Sequence, residues 1–64
     1  MARFVAVESP IMQPHTIDVD DITRVEWNTF CRPAVRLEFG NGNWDIVTRA
    51  SAEALVRMGA IPTF

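Results

Sequence analysis

The chain has one cysteine, Cys31, and one histidine, His15, among its 64 residues. A lone thiol forms no intrachain disulfide, and one cysteine with one histidine makes no zinc-ligand set. Lysine is absent, so all six basic residues are arginine: Arg3, Arg24, Arg32, Arg36, Arg49 and Arg57. No apolar run approaches the roughly 20 residues that a membrane helix requires, so no membrane partner is expected. Between Met1-Ala2-Arg3 and Glu8 lie only Phe4-Val5-Ala6-Val7, too few for the apolar centre of a secretory signal. A reduced, cytoplasmic setting fits these absences.

What is present describes a small folded domain. The hydrophobic fraction is 48% and the charged fraction 22%, values of a chain that buries a core rather than one that stays disordered. Residues 1–64 are read as a single domain, near the lower size limit for a single hydrophobic core. With no disulfide or metal for support, self-association is the remaining external source of stability. Net charge is −2, which opposes nonspecific nucleic-acid binding, because that rests on summed positive potential. The all-arginine usage has two readings. Its planar fork suits carboxylate or phosphate recognition, and a GC-rich codon set, which the seven alanines also fit, produces the same pattern.

Asn41-Gly42 is the clearest local signal. It suits a two-residue type I′ turn, in which both central residues take positive φ. Such a turn pairs Phe39 with Trp44, Leu37 with Ile46 and Val35 with Thr48. The large apolar side chains then share one face, with Arg36, Glu38, Asp45 and Val47 on the other. A hairpin over residues 34–48 is therefore predicted. Arg3–Glu8 and Thr16–Val19 read as short strands separated by Ser9-Pro10-Ile11-Met12-Gln13-Pro14, where two prolines remove ladder donors. Asp20-Asp21 reads as a turn. Thr23–Trp27 alternates, with Val25 and Trp27 inward and Arg24 and Glu26 outward.

A helix is predicted over about residues 51–58. Ser51 is one N-cap, and Thr48 would cap a longer version. Glu53 then falls in the first turn and Arg57 in the last. Gly59 is the expected residue just past the end, and Pro62 blocks continuation. Ala52, Leu55, Val56 and Gly59 make the stripe that meets the sheet. The expected fold class is α+β: three to four antiparallel strands in a small sheet, packed by one C-terminal helix.

Catalytic signals are weak. Cys31 and His15 are the only Cys–His combination, and Arg32 beside Cys31 favours thiolate; a lone cysteine in a strand-rich chain equally serves as a small buried apolar residue. His15 follows Pro14 in a presumed loop, where a solvated side chain is the simple reading. Asp18, Asp20 and Asp21 lack the glycine and terminal glutamate of a calcium loop. Gly40-Asn41-Gly42 precedes a strand rather than a helix, which excludes a phosphate-cradling loop. No catalytic residue, cofactor or metal is assigned, and the chain is expected not to be an enzyme.

Trp and Arg are the residues most enriched at binding hot spots. Trp27, Arg32, Arg36 and Trp44 are accordingly the candidate partner-binding residues, although both tryptophans could instead close a small core. Aromatics interleaved with arginine also suit stacking on single-stranded bases, and this nucleic-acid reading is the alternative. Self-association through the edge of the Arg3–Glu8 strand is a further expectation.

From Ile17 to Met58 the pattern resembles the small flagellar regulator family FlbD. The resemblance is carried by Val19-Asp20-Asp21-Ile22-Thr23-Arg24-Val25-Glu26, by Val35-Arg36-Leu37 with Asn41-Gly42, and by a strand followed by a Ser51-capped short helix. It implies a non-enzymatic regulatory or interaction role with a protein partner, and no site residues are carried across. An acidic chain of this size also suits a phage- or bacterium-encoded inhibitor or modulator of a larger complex, acting in the cytoplasm of the bacterium or of the phage's host.

Overall fold

The computed structural model describes residues 2–27 and 34–62. It contains strands β1 (Phe4–Val7), β2 (His15–Asp18), β3 (Ile22–Glu26), β4 (Val35–Phe39) and β5 (Trp44–Val47), then helix α1 (Arg49–Arg57). A 3₁₀ turn over Val19–Asp21 joins β2 to β3. The α+β class is as expected, with one difference in the sheet. The strands form two antiparallel sheets, β1-β2 and β3-β4-β5, rather than one sheet of three or four. The 3₁₀ turn accounts for the division, since Asp18 caps it by accepting the Asp20 N–H at 3.0 Å, and the chain leaves the first sheet there.

The hairpin over residues 34–48 forms, but its turn has three residues instead of two. Phe39 N–H donates to Asn43 O at 2.9 Å, and Gly42 N–H donates to Phe39 O at 3.1 Å. Among the described residues only Gly42 (φ +88°) and Gly59 (φ +79°) have positive φ, so Asn41 is not in the conformation a type I′ turn demands. A type I turn closed by a left-handed glycine takes its place. Asn41 Oδ1 accepts the Asn43 N–H at 2.9 Å, and Gly40 N–H donates to Asp21 O at 2.9 Å; both hold the longer loop.

One extra loop residue shifts the register by one, and a shift of one exchanges faces. Val35 now opposes Val47, Leu37 opposes Asp45 and Glu38 opposes Trp44. Phe39 and Trp44 therefore lie on opposite faces, contrary to the sequence expectation. Asp45 moves to the core side beside Leu37, while Trp44 and Ile46 move to the outer side beside Arg36 and Glu38.

The core draws on both sheets and the helix. Val7, Ile17, Val19, Val35, Leu37, Val47, Ala52, Leu55 and Ile61 are buried together, with Val25 and Trp27 packed against them. Among the described residues Leu37, Leu55, Val35 and Val47 are the largest fully enclosed side chains; each contributes about 1.5–3 kcal/mol through apolar burial. Helix α1 begins two residues before the shorter prediction because Thr48 is its N-cap, accepting the Ser51 N–H at 3.2 Å. Ser51 Oγ instead accepts the Glu8 N–H at 2.9 Å, and Thr48 N–H donates to Glu8 O at 2.8 Å, which ties the end of β1 to the start of α1. With the earlier start, Glu53 leaves the first turn and pairs with Arg49 at 3.4 Å.

Candidate functional site

Among the described residues, two groupings of chemistry-bearing side chains bear on function. The first is between the sheets. His15 opens β2 rather than sitting in a loop, and its Nε2 lies 2.5 Å from Asp45 Oδ2 on β5. Its Nδ1 lies 2.9 Å from the Gln13 carbonyl. Both ring nitrogens thus face acceptors, an arrangement satisfied only when both carry protons. The His15 pKa is raised accordingly, first by the Gln13 carbonyl and then by Asp45, against partial burial that lowers it. Asp45 is 5% exposed, and its other oxygen, Oδ1, accepts the Ile46 N–H at 2.8 Å. An imidazole with both nitrogens bonded inside the protein is a clip between sheets, and it has no nitrogen left for general-base work.

The second place is the outer face of the three-stranded sheet. By register, Glu26, Arg36 and Ile46 form one row across β3-β4-β5, and Arg24, Glu38 and Trp44 form the next. The Arg36 guanidinium carbon lies 4.7 Å from the centre of the Trp44 ring, a cation–π contact. Arg36 Nε is buried and 3.4 Å from Glu38 Oε2, in ionic contact without hydrogen-bond alignment. Arg24 Nη1 reaches the same carboxylate oxygen at 3.5 Å. Trp44 stays 54% exposed above this network, whereas Ile46 beside it is buried. Among the described residues the face carries two arginines and two glutamates, so these offer orientation and hydrogen bonding without a net positive field.

Of the four candidate binding residues, Arg36 and Trp44 are in contact. Trp27 is elsewhere: it follows β3, is half-buried against the core, and lies 5.2 Å below the Arg49 guanidinium. Arg32, like Cys31, falls outside the described residues. A third feature flanks β3, an open groove of about 310 Å³ lined by Ile22, Val25, Trp27, Ala60, Ile61 and Pro62 among others. Among the described residues no group of three His, Cys, Asp or Glu side chains is placed to hold a metal ion, and no helix is long and apolar enough to cross a membrane.

The His15–Asp45 pair has no motif that marks it in the sequence. The available signal was the ambiguity of Gly40-Asn41-Gly42, which fits either a two-residue or a three-residue loop. Only the longer loop turns Asp45 toward the core. Comparison with protein-family models, with curated proteins and with solved structures finds no match to this chain.

Proposed function

We propose that this chain is a small non-catalytic protein-binding module of the cytoplasm that engages its partner with the outer sheet face around Trp44 and Arg36. The observation that carries the reading is the exposure of Trp44, a large aromatic held at 54% exposure by a stacked arginine. A rigid aromatic beside an oriented guanidinium loses little conformational freedom on binding, which is the physical basis of hot spots. The balanced charge of the same face favours a protein over a nucleic acid. The likeness to FlbD fits a regulatory partner, as does the role of a phage- or bacterium-encoded modulator of a larger complex.

The test compares immobilised wild-type chain with Trp44→Ala and Arg36→Ala in native bacterial lysate, identifying retained proteins by mass spectrometry. A partner retained by wild type and lost from both variants is the expected result, with Met58→Ala as a surface control that keeps it. Equal retention by all four chains would refute the assignment. Salt-sensitive binding of single-stranded DNA that is lost with Trp44→Ala would replace it with the nucleic-acid reading.

A further inference from the structure

We propose that the free edge of β3 pairs with β3 of a second copy of this chain, antiparallel and centred on Val25. Among the described residues β3 is the end strand of its sheet, with β4 on one side and no strand on the other. An open edge offers backbone donors and acceptors to a further strand. What selects a second copy is the order of charges along this strand. A two-fold axis at Val25 places Arg24 opposite the partner's Glu26, and Glu26 opposite the partner's Arg24. Each copy supplies both members of the match, as an isologous interface requires.

The side chains are available for it. The Arg24 side chain is 64% exposed and touches Glu38 only at 3.5 Å. Glu26 makes no ion pair among the described residues, although it stands opposite Arg36 in the ladder. Pairing two copies would extend the outer-face rows into the order Arg36, Glu26, then Arg24 and Glu38 from the second copy, alternating in sign throughout. Opposite charges directly across strands stabilise a sheet, and like charges oppose it. The groove of about 310 Å³ that follows this edge adds apolar surface from Val25, Trp27 and Ile61.

The β1 edge is less suited to the same role. The Glu8 backbone that follows β1 is already bonded on both its N–H and its C=O, to Ser51 and Thr48. The β3 edge has its own limit, because the irregularity between Ile22 and Arg24 leaves only a short regular stretch. So short a ladder buries less than a standard interface, and the dissociation constant is expected on the order of 100 μM. A two-fold axis normal to the sheet keeps both outer faces on one side. The two Trp44-bearing strands then lie about 24 Å apart, five strand spacings, giving a bivalent surface.

Sedimentation velocity at up to about 1 mM tests this with Arg24→Glu, Glu26→Arg and their equimolar mixture. Wild type is expected to dimerise, and each single variant to weaken by about tenfold or more, because its own dimer sets like charges opposite each other twice. In the mixture both cross-strand pairs are again opposite in sign, so dimer returns, which also shows that both variants are folded. Amide NMR of wild type during dilution needs no substitution and should shift residues of β3. A wild-type chain monomeric at about 1 mM, single variants that dimerise as well as wild type, a mixture that does not recover, or dilution shifts confined to β1 would each overturn the β3 dimer. Such a failure leaves the Trp44 experiment untouched, since that one reads a different face and a different partner.

Discussion

His15 and Asp45 lie thirty residues apart in the chain and are hydrogen-bonded, Nε2 to Oδ2, across the space between the two sheets. Because the Gln13 carbonyl and Asp45 both favour the imidazolium, the folded pKa of His15 lies above 6.5. The linked stability is fully present below the ordinary imidazole value and is lost as pH rises through the raised folded one. The unfolding temperature should therefore fall between about pH 6.5 and the alkaline side of that raised value. His15→Gln should abolish this part of the dependence. As the only histidine, His15 gives a single NMR titration, and a midpoint at or below 6.5 would contradict the clip.

The two partners should not cost the same to replace. His15→Leu leaves a carboxylate that is only 6% exposed with no cation beside it, and a stranded buried charge is expensive. Asp45→Asn keeps a hydrogen-bonding group, because the introduced amide can donate to Nε2 of the neutral ring while Nδ1 keeps its bond to Gln13. Denaturant unfolding at pH 7 should show a loss of about 2–4 kcal/mol for His15→Leu and about 1 kcal/mol for Asp45→Asn. The reverse order would mean that the aspartate is stabilised mainly by its Ile46 N–H bond.

Where the sequence reading succeeded, one local rule governed each element. The apolar spacing Ala52, Leu55, Val56 and the stop at Gly59 specify α1, and Val25 with Trp27 turn inward by simple alternation. Where it failed, two rules competed. Asn41-Gly42 satisfies a two-residue turn, while Gly40 and Gly42 also permit a three-residue one, and the choice rests on bonds to Asp21 and within the loop. That choice decides which face carries Trp44, so the Arg36–Trp44 contact depends on long-range bonding. The His15–Asp45 pair was hidden for the same reason, since an aspartate assigned to the outer face gives no hint of a buried partner. The number of sheets was likewise illegible, because it follows from how Asp18 redirects the chain after β2.

The turn itself can be tested through its glycines. Gly42 has φ +88°, and no atom lies within 4 Å of a Cβ placed there, so the cost of Gly42→Ala is backbone strain alone. It should destabilise by about 1 kcal/mol, and Gly42→Asn by less, because asparagine tolerates the left-handed region better. Gly59 offers a parallel case at the end of α1, where Gly59 N–H donates to Val56 O and Ala60 N–H to Leu55 O, both at 2.9 Å. These are the two bonds of a Schellman cap. Gly59→Ala should also cost about 1 kcal/mol, and thermal unfolding followed by circular dichroism checks all three. A neutral Gly42→Ala would argue that residue 42 does not occupy the left-handed region, against both this loop and the two-residue turn.

Leu37 and Leu55 bring the helix and the central strand of the larger sheet into one core, at 0% and 1% exposure. Truncating either to alanine removes three carbons from a close-packed site, at about 2–5 kcal/mol depending on how far the surroundings collapse. A single core of this size supplies roughly 3–5 kcal/mol in total. Leu37→Ala should therefore leave the chain largely unfolded at 37 °C. Leu55→Ala should do the same or come close, because its helix has no other fully enclosed side chain larger than Ala52. By contrast Met58→Ala, on the exposed side of the same helix end, should change stability by less than about 0.5 kcal/mol. Urea unfolding of the three variants gives the comparison directly, and a Leu37→Ala chain as stable as wild type would show that the two layers do not share a core.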